Sequence, residues 1–238
     1  MTRHWARIVA VGGGILLGVG LLPGSAASLS LTSQNLTPYR TCTITATPAT
    51  TTAVADTTVR QGTPAGNFGA LTTLTVSSAN AANQRTYVRF DLTVCTPAIP
   101  ASAIVRLATL RLNMTAVPAA CRILDLFPAT AAWVETTLTW NNQPFGTTIN
   151  NPPTASRTGT FSVGTPAGCQ NQAAGYVTGG TVTSDVASWV AGSTTNFGWM
   201  IRDDTEGSAT TRTATFSAKE LATIAQEPQL VITYVTVP

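Results

Sequence analysis

Histidine is all but missing from this 238-residue chain: His4 is the only one. It lies in a leader, Met1 to Ala27, with the build of a secretory signal peptide. Arg3 and Arg7 give a positive start, Ile8 to Leu22 an apolar run, and Pro23-Gly24-Ser25-Ala26-Ala27 the small residues of a cleavage site. Cleavage leaves about 211 residues with no histidine. That excludes Ser-His-Asp and Cys-His triads, His-ligated zinc and imidazole general-base chemistry. Charge is also sparse. Loss of the leader takes the basic residues from 13 to 11, against 10 acidic ones. With no Lys/Arg-rich run, nucleic acid is not an expected partner. The 15-residue leader run carries five glycines and falls short of the roughly 20 apolar residues a span needs. No later stretch approaches it, so no membrane span is expected after leader removal.

Cysteine is scarce but even in number: Cys42, Cys95, Cys121 and Cys169, far apart and with no C-x-x-C pair. That spacing argues against zinc or thioredoxin chemistry. In an exported chain it argues for two disulfides. Three connectivities are open; Cys42–Cys95 with Cys121–Cys169 is preferred, the first tying the N-terminal arm to the domain.

What is abundant is threonine and valine, punctuated by glycine, proline and asparagine. Residues 28–53 are rich in Ser, Thr, Ala and Pro and are read as an extended N-terminal arm. From 54 to 238 the pattern is that of one β domain. In Arg85 to Leu92, Thr86, Val88, Phe90 and Leu92 alternate with Arg85, Tyr87, Arg89 and Asp91, which predicts one core face and one wet face. Further strands are expected at 71–76, 108–114, 121–127, 159–163, 198–202, 212–216 and 229–235, with 108–114 and 121–127 forming a hairpin. One short helix is expected, capped by Ser184, with Val186, Trp189 and Val190 on one side. The fold class is an all-β, jelly-roll-type antiparallel β-sandwich with one short helix. Asn-Phe-Gly occurs twice, at 67–69 and 196–198, and is read as two similar turns.

Several strings stand in a characteristic order. Asp56-Thr57-Thr58-Val59-Arg60 precedes Asn67-Phe68-Gly69, then the Arg85–Leu92 strand and Ala108-Thr109-Leu110-Arg111-Leu112. Trp133-Val134-Glu135-Thr136-Thr137-Leu138-Thr139-Trp140-Asn141-Asn142-Gln143-Pro144 follows, then Val182 to Trp189, Asn196-Phe197-Gly198-Trp199 and Pro228 to Tyr234. W-x-E-x-x-x-T-W-N-N-x-P is the distinctive one. This order resembles the DNRLRE-type, disaggregatase-related domain, also classified as carbohydrate-binding module family 96, over roughly Val54 to Val235. The resemblance implies a secreted jelly-roll sandwich, with acidic polysaccharide binding known for part of the family. The four cysteines are not a general family feature, and no catalytic module is expected beside the domain.

The residues themselves supply candidate chemistry. If Arg85, Tyr87 and Arg89 share a wet face with Arg111 of a neighbouring strand, guanidinium forks can grip carboxylates while an aromatic ring stacks on a sugar. The alternative is an ordinary salt-bridged surface. Of the tryptophans left after cleavage, Trp189 and Trp199 read as core, Trp133 as structural, and Trp140 as a loop residue that could serve as a platform. Asp203, Asp204 and Glu206, joined by Asp56, form a candidate structural calcium site; the alternative is a capped turn pairing Asp203 with an arginine. No cofactor is required. An enzyme is not expected: Glu135 with Asp185 or Asp203 has no distinguishing spacing for a glycosidase, and a lyase would need Tyr87 as its base beside Arg89. The expectation is therefore a secreted, non-catalytic module for polysaccharide, acidic glycan favoured, with a structural or adhesive envelope protein as the alternative.

Overall fold

The computed structural model describes residues 38–46 and 51–236; the leader and much of the expected arm lie outside that range. Twelve strands follow in chain order: β1 (Arg40–Thr45), β2 (Val54–Arg60), β3 (Thr73–Ser78), β4 (Gln84–Phe90), β5 (Ile104–Arg111), β6 (Asn113–Ala116), β7 (Arg122–Pro128), β8 (Gly159–Val163), β9 (Gly175–Tyr176), β10 (Trp199–Asp203), β11 (Arg212–Ser217) and β12 (Gln229–Val235). A helix, α1 (Thr183–Val190), precedes β10. β1, β12 and β5 make a three-stranded antiparallel sheet. The remaining nine strands form a second, curled sheet in the order β8-β7-β10-β4-β3-β11-β6-β9, with β2 paired to β4.

The core lies between the sheets and is built by alternation. From the small sheet come Leu110, Ile232, Leu230 and Ile44; from the large one Val88, Phe90, Leu126, Trp199, Ile201 and Phe216. Each such side chain contributes about 1.5–3 kcal/mol by leaving water. Trp199 and Ile201 face this core, as their spacing predicts.

Three differences from expectation have physical causes. Residues 40–45 form a strand rather than arm: β1 pairs with β12 along its whole length, Arg40 opposite Tyr234 through Thr45 opposite Gln229. The expected hairpin of 108–114 with 121–127 does not form. β5 pairs with β12, β7 with β8 and β10, and the chain changes sheets at Leu112, so β6 pairs with β11 instead. Strands that switch sheets make the corners of sandwiches. Ser184 does not cap α1, whose N-cap is Val182 without a side-chain hydrogen bond; Thr183 Oγ1 instead accepts from Ala108 N on β5, at 3.0 Å.

The disulfides are Cys42–Cys95 and Cys121–Cys169, the preferred connectivity. They close loops of 53 and 48 residues, each contributing about 4 kcal/mol in the chain-entropy picture. The first fastens edge strand β1 to the turn after β4. Among the described residues, no helix is long and apolar enough to cross a membrane.

Candidate functional site

The outward face of β4 is not the wet face its alternation predicts. Arg85 and Tyr87 are fully buried, beneath a segment of the chain between β7 and β8 that carries Trp133, Leu138, Trp140 and Phe145. Arg85 Nε and Nη2 donate to Glu206 Oε1 and Oε2, both at 2.8 Å. Its Nη1 reaches Gln143 Oε1 and the Gly146 carbonyl, Nη2 also reaches the Thr148 carbonyl, and the guanidinium lies 4.6 Å from the Trp140 ring. All five N–H donors are used, so Arg85 pins the covering segment.

The W-x-E-x-x-x-T-W-N-N-x-P string is the fabric of that cover. Trp133 Nε1 donates to the Phe197 carbonyl at 2.7 Å. Asn142 Oδ1 accepts from Thr139 N at 2.7 Å while its Nδ2 donates to the Thr137 carbonyl. Gln143 Nε2 donates to the Trp140 carbonyl. Trp140 is in a loop, as expected, but is only 3% exposed and offers no platform. Tyr87 donates its hydroxyl to Gln143 Oε1, and burial pushes its pKa far above the ordinary tyrosine value. It is not placed as the base a lyase would need. Asp185, one proposed glycosidase partner, accepts from Trp199 Nε1 and Thr158 Oγ1, both at 2.7 Å.

Arg111 is not a neighbour of β4. It lies on β5 in the other sheet, over the Tyr176 ring at 4.4 Å, and donates to Gln229 Oε1. Tyr176 in turn donates to the Glu227 carbonyl at 2.7 Å. The Glu227 carboxyl is buried, and burial followed by repulsion from Glu220 pushes its pKa up to about 7. Between the unfolded value near 4.3 and that value, the folded state holds a proton the unfolded chain has released. Its contribution is therefore complete below the unfolded pKa and is lost as pH rises through about 7. Urea midpoints are expected to fall between pH 5 and pH 8, and Glu227→Gln to flatten that fall.

The acidic residues also separate. Asp203 and Asp204 both pair with Arg122, the latter at 2.9 Å, and Glu206 belongs to Arg85. Asp56 sits apart from them, beside Glu135 and Glu220. The four residues expected to share calcium thus do not form one cluster, because arginines claim three of them.

One sequence candidate remains open. Arg89, four residues beyond Arg85 on the same face, is half-buried, and among the described residues it forms no ion pair. It lines a cleft of about 500 Å³ with Asp91, Thr93, Trp189, Thr195 and Asn196. Asp91 accepts from Thr93 N and Oγ1, at 2.9 and 2.7 Å, which holds that rim. Asn196 Nδ2 donates to the Phe90 carbonyl at 2.8 Å and its Oδ1 accepts from Gly198 N, which holds the other. Asn67 does the same in the first Asn-Phe-Gly string, donating to the Glu135 and Leu138 carbonyls and accepting from Gly69 N. The two strings are one device, as their likeness implies. Trp189, expected in the core, packs against Trp199 at 4.5 Å between ring centroids yet is only half-buried and borders the cleft. The sequence signal for it was present, since position 189 lies in the last turn of the helix, where one side must meet solvent.

An antiparallel sandwich with an open cleft, an arginine that forms no ion pair among the described residues and an indole at the cleft edge fits one class, the binding module. The model of carbohydrate-binding module family 96 matches residues 47–234, and the chain belongs to that family. Such modules bind carbohydrate and are generally non-catalytic. No curated protein matches the chain significantly in sequence.

Proposed function

We propose that the chain is a secreted, non-catalytic module that binds acidic polysaccharide in the cleft beside Arg89. The observation carrying this reading is the contrast along β4. Arg85 spends every donor inside the protein, whereas Arg89 has none of its charge neutralised by an ion pair among the described residues and borders open space. A guanidinium of this kind matches a uronate carboxylate in bidentate fashion. Trp189 offers a partly exposed ring for a sugar face, and Asp91, Thr93 and Asn196 offer hydroxyl partners. The signal-peptide pattern and the pairing of all four cysteines support export.

Affinity electrophoresis through alginate, pectin and neutral glucan gels tests the reading. Retardation by the acidic gels is expected, with Arg89→Ala weakening binding about 10–100-fold, from the roughly 1.5–3 kcal/mol of a charge-assisted hydrogen bond. Trp189→Ala is expected to weaken it as well. Equal retardation by neutral glucans would remove the acidic preference. No retardation by any gel, from folded protein, would leave the structural or adhesive role.

A further inference from the structure

Two of the ordered strings meet the turn after β11 at a place the cleft does not use. Asp56 comes from β2, Glu135 from the cover segment, and Glu220 from the turn after β11; one oxygen of each lies within 4.8 Å of the others. Oxygens on opposite sides of a calcium ion stand about 4.6–5.2 Å apart, given ligand distances of about 2.3–2.6 Å.

Asp56 is 1% exposed. Its Oδ2 accepts from Lys219 N at 2.9 Å, while its Oδ1 has no hydrogen-bond partner although it is fully enclosed. Glu220 Oε2 is likewise buried and unpartnered. A buried carboxylate oxygen left without a donor is costly, and two residues of this cluster each carry one. Lys219 Nζ, the only lysine ammonium of the chain, meets Glu135 Oε1 at 2.9 Å and also pairs with Glu220. One ammonium among three ionised carboxylates leaves two negative charges uncompensated. Burial, then repulsion from Glu220, holds the Asp56 carboxyl well above its ordinary range, and burial pushes Glu135 up to about 7. Gly69 backs the site: a Cβ there would lie 2.7 Å from the Glu135 carbonyl oxygen and 2.8 Å from its Cγ, so the bare backbone lets Glu135 reach inward.

We propose that Asp56, Glu135 and Glu220 form a calcium site, with the ion bound by Asp56 Oδ1 and the two glutamates and Lys219 as the neighbouring cation it displaces. The donors are all hard carboxylate oxygens with no nitrogen or sulfur, which selects calcium over zinc or copper. The ion would tie β2, the cover segment and the β11 turn together, and so brace the fold away from the cleft.

The test is calorimetric titration of the full chain, stripped of metal by a chelator, with calcium chloride alone. One site with a Kd on the order of 0.1 mM is expected. At 10 mM calcium the Tm is expected to rise by about 5–10 °C. Asp56→Asn should abolish both the binding heat and the Tm rise; should it not fold, Glu220→Gln carries the same test. Lys219→Met should bind calcium at least about tenfold more tightly. Asp204→Asn, in the other acidic turn, should bind as wild type does. No heat and no Tm rise up to 10 mM calcium would overturn the site. So would loss of binding in Asp204→Asn, or a destabilised Lys219→Met that calcium fails to restore.

Discussion

Arg85→Ala is expected to cost about 3–5 kcal/mol of folding stability, because it leaves the Glu206 carboxylate buried with its main partner gone. Glu206 retains only backbone help, chiefly Asn150 N on Oε2 at 2.6 Å. The same substitution removes the donors to Gln143, Gly146 and Thr148. The segment near 140–150 should therefore loosen before the core does. Against a total stability of about 5–15 kcal/mol, that loss is large. Arg85→Lys should recover little, since an ammonium cannot present the two parallel donors that meet Glu206. Arg85→Met combined with Glu206→Met should recover much of it, because both desolvation costs disappear together. Urea midpoints for the four proteins, with limited proteolysis to locate the first cuts, decide the matter. An Arg85→Ala protein within about 1 kcal/mol of wild type would mean that the pair behaves as a surface salt bridge.

Gly198→Ala is expected to cost at least about 4 kcal/mol, in the class of effects that a specific steric cause must explain. Gly198 has φ +74°, and a Cβ there would lie 2.2 Å from the Val88 carbonyl oxygen and 2.7 Å from Arg89 Cα. Backbone cannot rotate away as a side chain can. Gly192 separates the two contributions: its φ is +70° but nothing lies within 4 Å of a Cβ. Gly192→Ala should therefore cost only the left-handed backbone strain, about 1–2 kcal/mol. Equal losses at the two positions would refute the steric account. Because the clash falls on the backbone at Arg89, Gly198→Ala should also weaken polysaccharide binding beyond what its lowered stability explains.

These two sites show how the fold prepares the cleft without entering it. Arg85 fixes the cover over the outer face of β4. The Asn196-Phe197-Gly198 turn packs against the end of the same strand, where Asn196 holds the Phe90 carbonyl and the Phe197 carbonyl receives Trp133 Nε1. Arg89 stands between them, its guanidinium 5.4 Å from the Trp133 ring. Both supports are rigid before any ligand arrives, so little ordering would be left for binding to oppose.

The all-β class, most strand positions and the helix were legible in the sequence because they rest on local periodicity. Val88 and Phe90 must face a core if Arg89 does not, whatever lies opposite. Strand β1 was not legible: Arg-Thr-Cys-Thr-Ile-Thr holds one large aliphatic residue, and its strand state comes from ladder bonds to β12, some 190 residues away along the chain. The near absence of histidine and the even cysteine count bounded the chemistry by composition alone. What covers a face, and which acid meets which arginine, is a property of chain segments meeting in space. Arg85 and Arg89 share a strand and a face, and alternation treats them alike. Only the tertiary structure buries one beneath Trp140 against Glu206 and leaves the other at the cleft.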